Sequence, residues 1–193
     1  YVHKDFVKED NLNNNTTERL VISGSEYKSA VSLGDFEIGK RYKYNFIEPA
    51  INELTKFTKE YSTDKITWLI SSTAYTNDDI KNFKDTANRL NVNIRFFTTD
   101  KDLIEYINNR STCKIGNITI FAHGIPGSVE FGYKQPNFSE LSFNIFDFKD
   151  INSNSFKKDA VTMSYACNGA TNIKANSTTD LLPNWAYGKS FAS

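Results

Sequence analysis

Between residues 45 and 166 the chain alternates short β-rich runs with longer amphipathic stretches, and this alternation limits the fold more than any other feature. Ile47, Ile51, Leu54, Phe57 and Tyr61 recur at helical spacing, with Pro49 tolerated in the first turn. Ile66-Thr67-Trp68-Leu69-Ile70 is predicted as the first core strand, closed by a polar loop from Ser71 to Thr76. Asn77 can cap a second helix whose apolar face is Ile80, Phe83, Ala87 and Leu90. Val92 to Phe97 returns to strand character, Asp100 can cap a short helix using Leu103, Ile104 and Ile107, and Ile118 to Ala122 reads as a third strand. Ala160 to Ala166 is predicted as a fourth core strand. Parallel strands need crossover connections and crossovers are right-handed, so this order predicts an α/β fold: a three-layer sandwich with a mostly parallel central sheet.

The remaining segments are less regular. Asn11 to Thr17 is polar and turn-prone, and Leu20-Val21-Ile22 is a short candidate strand, so residues 1–44 are expected to form an N-terminal arm, linker or edge hairpin, with the domain proper at 45–193. After His123, Ser128 to Tyr133 and Leu141 to Ile145 read as a hairpin inserted at one end of the sheet. Asp150 to Lys158 reads as a linker or short helix. A length of 193 residues allows one domain of ordinary size. Tyr1 in place of Met, with no charged-then-apolar leader, reads as a mature product or excised domain.

Charge and composition exclude several function classes. Lys plus Arg (23) balances Asp plus Glu (23), which leaves no basic excess for a nucleic-acid backbone. No apolar run approaches the roughly 18 to 20 residues needed to span a bilayer. The 2 cysteines make no disulfide scaffold and show no zinc-ligand spacing, so no metal site is expected.

Two predicted strands end in reactive residues. The third runs into Ala122-His123-Gly124 and the fourth into Tyr165-Ala166-Cys167-Asn168-Gly169. If these strands are parallel neighbours, about 4.8 Å apart, His123 and Cys167 emerge side by side at the strand carboxyl ends, where α/β sheets gather function. An imidazole beside a thiol favours the thiolate and can protonate a leaving amine, while the amides of Gly124 and Cys167 can receive a carbonyl oxygen that turns negative. The expectation is an acyl-transfer site that needs no metal or organic cofactor. Cys113 precedes the third strand and falls at the opposite edge, and His3 has no strand-end position.

The strand-end His-Gly of Ile120-Phe121-Ala122-His123-Gly124, followed by the strand-end Ala166-Cys167, resembles the caspase-hemoglobinase superfamily (clan CD) of cysteine peptidases. That superfamily includes caspases, legumains, gingipains and self-cleaving domains of large bacterial toxins, and the strand-helix order is similar over about residues 45 to 170. The resemblance implies a caspase-like sheet and a Cys/His dyad, with Cys167 as nucleophile, His123 as general acid-base and the Gly124 and Cys167 amides as oxyanion donors. The Tyr165-to-Gly169 segment and Ser190-Phe191-Ala192 also resemble toxin domains of Rhs-type bacterial effectors. That context implies a protein or peptide substrate, including the chain's own carrier, an immunity or inhibitor protein as a further partner, and secretion or delivery into a target cell.

Tyr165 is expected to contact substrate, but it stands where caspases carry Gln and metacaspases an Asp that helps bind a basic side chain. A neutral residue before the cleaved bond is therefore expected. Asn168 can hydrogen-bond substrate or only support its turn. Each reactive residue also has an ordinary explanation: Cys167 as a small buried hydrophobe, His123 as a turn histidine. Asp78 and Asp79 are expected to cap a helix, and Phe138, Phe143, Phe146 and Phe148 to cover the sheet edge. Two rival functions stay open: an inactive caspase-like partner-binding module, and a Rossmann-like small-molecule binder. The second is weakened because Ser71-Ser72-Thr73-Ala74-Tyr75 replaces a Gly-rich phosphate loop.

Overall fold

The computed structural model describes residues 16–25, 43–132, 138–144 and 146–166. In chain order the elements are β1 (Glu18–Ser23), α1 (Ile47–Glu60), β2 (Lys65–Ser71), α2 (Asn77–Leu90), β3 (Asn93–Phe97), α3 (Asp100–Asn108) and β4 (Ile115–Phe121). They are followed by β5 (His123–Ile125), β6 (Ser128–Glu130), β7 (Ser142–Asn144) and β8 (Phe156–Ser164). The main sheet has the order β3-β2-β1-β4-β8, every pairing is parallel, and a second, antiparallel sheet has the order β5-β6-β7.

Strand alternation divides the core into two layers. Val21, Trp68, Ile70 and Phe121 turn to one face, where they pack with Ala50, Leu54 and Phe57 of α1 and Phe83 and Ala87 of α2. Leu20, Ile22, Leu69, Ile118 and Ile120 turn to the other, against Leu103 and Ile107 of α3 and Val129, Phe131 and Phe143 around the small sheet. The fold is thus α/β with a parallel central sheet between helices, as the periodicity required.

The first forty residues contain the main correction. Leu20-Val21-Ile22 is neither an arm nor an edge hairpin, because β1 is the middle strand and pairs with β2 on one side and β4 on the other. All three side chains are at most 1% exposed. A continuous apolar run, rather than an alternating one, is what a strand covered on both faces needs. A boundary at residue 44 therefore cuts through the sheet instead of separating an arm from a domain.

β8 is corrected in the opposite sense. It starts at Phe156, inside the stretch read as a linker or short helix, and among the described residues it is the outermost strand of the main sheet, with Val161 and Met163 exposed, not a core strand covered on both faces. The hairpin after β4 has three strands, because His123-Gly124-Ile125 itself forms β5. Pro126 and Gly127 join β5 to β6, and Gly127 has φ 81°, the positive value that a type II turn places after a proline.

The helix caps fall one residue earlier than expected, on Thr76 and Thr99 instead of Asn77 and Asp100. Each threonine forms a reciprocal capping box with the aspartate at the third helical position, Asp79 or Asp102. Asp79 is 5% exposed and accepts from the Thr76 N–H at 2.7 Å, from Tyr44 OH at 2.5 Å and from Lys43. Burial alone would push its carboxyl up, but these donors together hold it well below the usual carboxylate range.

A carboxyl lowered on folding contributes stability that is complete above its unfolded pKa, about 3.9, and is lost as pH falls through the lower folded value. Asp79→Asn is therefore expected to cost about 1 to 3 kcal/mol at pH 7 and to flatten the acid limb of the stability curve. Urea unfolding at pH 7 and near pH ~3 checks this; equal acid sensitivity in wild type and variant would contradict it.

Candidate functional site

β4 and β8 are parallel neighbours. Ile120 stands opposite Ser164, and the Tyr165 N–H donates to the Ile120 carbonyl at 2.8 Å, so the pairing continues past the end of β8. The Tyr165 ring is 56% exposed and stacks on Phe121, centroids 5.0 Å apart and planes 5° apart. His123 follows β4 after a single residue, is half-buried, and meets the Phe46 ring edge-on at 4.9 Å. Phe46 is the residue that opens α1, so the start of that helix braces the imidazole. Cys167, Asn168 and His3 lie outside the described residues.

Gly124 is oriented by the small sheet. The Phe131 N–H donates to the Leu141 carbonyl at 2.8 Å, so Val129 and Phe131 turn their backbone polar groups toward β7. Ser128 and Glu130 then turn theirs toward β5, pairing with Ile125 and His123. Gly124 stands opposite Val129 in the pair that exchanges no hydrogen bonds, which aims its N–H at the outer edge of β5.

The same hairpin brings forward a residue the sequence reading passed over. Glu130 is directly opposite His123, and cross-strand partners share a face. It is 1% exposed, and its Oε1 accepts from Ser128 Oγ at 2.5 Å and Ser142 Oγ at 2.6 Å. A signal was present in the alternation Ser128-Val129-Glu130-Phe131, which puts the polar pair on one face and the apolar pair on the other. Of the four phenylalanines, Phe143 is buried in the core with Phe148 packed against it, Phe146 is 65% exposed, and the Phe138 side chain lies outside the described set.

The opposite end of the sheet is built for stability. Glu18 is fully buried there, accepting from Thr67 Oγ1 and Tyr106 OH, both at 2.6 Å, with Lys65 and Arg110 nitrogens each at 3.6 Å. Cys113 lies at this end, 3% exposed, and burial followed by the charge of Glu18 raises its thiol above the ordinary value. Such a thiol is a poor nucleophile. Iodoacetamide at neutral pH is expected to leave Cys113 unmodified in the native protein and to alkylate it after denaturation; peptide mass mapping reads both, and native labelling of Cys113 would overturn its placement.

Among the described residues no group of three or more His, Cys, Asp or Glu side chains is placed to hold a metal ion, and no helix is long and apolar enough to cross a membrane. Comparison with protein-family models, with curated proteins and with solved structures finds no match to this chain.

Proposed function

We propose that the chain is a cysteine endopeptidase with a caspase-like sheet, in which Cys167 is the nucleophile and His123 the general acid-base. The observation that carries this reading is the β4–β8 register. His123 follows β4 and Cys167 follows β8 at equal distances in sequence from the partners Ile120 and Ser164, which supports a reading with both residues at the same rim of the sheet. The orientation of the Gly124 N–H supports an oxyanion role, since a donor not used by its own hairpin is free to serve a substrate.

In the proposed reaction the Cys167 thiolate adds to a peptide carbonyl carbon and the carbonyl electron pair moves to oxygen, held by the Gly124 and Cys167 N–H groups. The C–N bond then breaks as His123 delivers its proton to the departing amine. Water then attacks the thioester carbonyl as His123 takes one of its protons, and the C–S bond breaks to release the acid product and restore the Cys167 thiolate beside protonated His123. The exposed ring of Tyr165 offers substrate an apolar wall beside this centre, and Asn168 adds a side-chain amide. The biological setting we favour is a bacterial secreted effector, toxin or self-processing domain that acts on its own carrier or on a target-cell protein and is restrained by an immunity or inhibitor protein.

One observation favours a second reading. The order β3-β2-β1-β4 reverses direction between β1 and β4, and open α/β sheets bind small ligands at such a switch point. Here the chain itself occupies that crevice. The Gly24 N–H binds the Phe121 carbonyl at 2.8 Å, and Ser25, 0% exposed, binds the Phe131 carbonyl through N–H at 2.8 Å and Oγ at 3.0 Å. A Cβ on Gly24 would come within 3.2 Å of Ala122 Cβ and 3.3 Å of the Phe131 backbone. A ligand would have to displace Phe131 from the core, so the peptidase reading is preferred.

The test is intact-mass analysis of the wild type and Cys167→Ala, alone and with a mixed peptide library. Fragments formed only by the wild type support the proposal. An inactive wild type that still binds a protein partner would favour the partner-binding module.

A further inference from the structure

The two carboxylates buried most deeply among the described residues differ in one respect. Glu18 and Glu130 are 0% and 1% exposed, and the Oε2 atom of each has no hydrogen-bond partner there. Glu18 has Lys65 and Arg110 nitrogens at 3.6 Å to offset its charge. Glu130 has two serine hydroxyls on Oε1, and no lysine or arginine of the described residues forms an ion pair with it. Two neutral donors do not repay the desolvation of a carboxylate, which needs a positive partner.

The register of the small sheet identifies that partner. His123, Glu130 and Ser142 stand directly opposite one another on β5, β6 and β7, so they form one row on one face. Opposite side chains have Cβ atoms about 4.5 to 5.5 Å apart, which puts a glutamate oxygen within reach of an imidazole nitrogen. Ser142 holds Oε1 from the β7 side at 2.6 Å and Ser128 holds it at 2.5 Å, which fixes the carboxylate and leaves Oε2 as its open acceptor. In this structure the His123 ring meets Phe46 edge-on at 4.9 Å, and Oε2 is still open. The peptidase reaction places a second proton, and with it a positive charge, on that ring.

We propose that Glu130 is a positioning residue for His123: when the imidazole is protonated, one ring N–H donates to Oε2 and the other is presented to the departing amine. This rests on the peptidase reading. A carboxylate closed to solvent suits the role, because water does not screen its charge and it meets only a cation generated inside the site. A single fixed bond also sets the plane of the ring, as a buried carboxylate does for the histidine of other hydrolytic sites.

The experiment has two arms. In the first, spectra of protein labelled with ring-15N histidine are recorded at pH ~5, where an ordinary imidazole carries both protons. Cys167→Ala is compared with Cys167→Ala carrying Glu130→Gln, so that no thiolate competes for the ring, and His123→Ala assigns the signal. Cys167→Ala is expected to show a His123 ring N–H that is shifted downfield and exchanges slowly with water, and Glu130→Gln to lose it. The two serines keep the Gln oxygen at the Oε1 position, so its NH2 group takes the place of Oε2 and donates instead of accepting. In the second arm, on a peptide the wild type cleaves, Glu130→Gln is expected to lower kcat by about 10²-fold or more with KM within about twofold. Glu130→Asp, which restores a carboxylate, is expected to recover part of that loss.

A His123 ring signal identical with and without Glu130→Gln would overturn the pairing, whatever the peptide rates. A signal that depends on Glu130 in a protein that cleaves nothing would keep the pairing and discard the peptidase. A lowered melting temperature in Glu130→Gln with kcat unchanged would make the carboxylate purely structural and overturn the proposal. Should Glu130→Gln fail to fold, Ser142→Ala decides, since it loosens the carboxylate without removing it: faster exchange of the ring proton supports the pairing, and unchanged exchange overturns it.

Discussion

Cys167→Ala is expected to remove peptide cleavage almost entirely, a loss of roughly 10⁴-fold or more in kcat with the melting temperature little changed. The size follows from the role: a covalent nucleophile has no substitute, and what survives its removal is the small residual effect of oxyanion donors and substrate binding. His123→Ala is expected to cost a similar factor, because the thiolate and the leaving amine both depend on that ring. Groups that act as one unit are strongly non-additive, so the double variant should be no worse than either single one. Single-turnover rates on a cleaved library peptide, beside thermal unfolding of each variant, make the measurement. If Cys167→Ala turns over peptide at the wild-type rate, the mechanism is wrong. If the two losses multiply, the residues do not work as a pair.

The second large effect concerns the amino-terminal segment. A chain beginning at residue 45 is expected not to fold at all. It lacks β1, and with it the strand joining β2 to β4, so the main sheet is split into two pairs. Burial of Leu20, Val21 and Ile22 contributes about 1.5 to 3 kcal/mol each, comparable in sum to much of the 5 to 15 kcal/mol that holds an ordinary domain together. Trp68 Nε1 loses its Ser23 Oγ acceptor at 2.9 Å, and the Thr67 and Tyr106 hydroxyls lose the Glu18 carboxylate to which they donate. Near-ultraviolet circular dichroism and amide proton dispersion would show an unfolded or molten chain. A cooperative melt from residues 45–193 would show instead that β1 is dispensable.

That contrast marks where local pattern stops being informative. The faces of α1 and α2 and the extended character of β2 and β4 follow from side-chain spacing within a dozen residues, and the structure keeps them with small shifts such as the cap at Thr76. Leu20-Val21-Ile22 is an unbroken apolar run, whereas Ala160-to-Ala166 is interrupted at Thr162 and Ser164, and among the described residues the first is central in the sheet and the second outermost. The continuous run is consistent with cover on both faces, but which strands lie beside β1 depends on pairing with segments far away in the chain, and spacing within one strand does not encode that.

The site divides in the same way. His123 and Gly124 are visible in the sequence as the end of a β-rich run, but the neighbouring of β4 and β8 is only a condition there, and the structure supplies it. Glu130 was not legible as a partner of that site, although its face was. The sequence by itself determined the α/β class, the helices and the residue types delivered at strand ends, since these rest on the 3.6 and 2.0 residue periods of the backbone. Only the tertiary structure decided that β1 is central, that the chain fills its own switch-point crevice at Gly24, and that a buried carboxylate, Glu130, lies across from His123. Those outcomes are set by contacts between distant segments, where the burial of one residue is fixed by others whose positions no local period records.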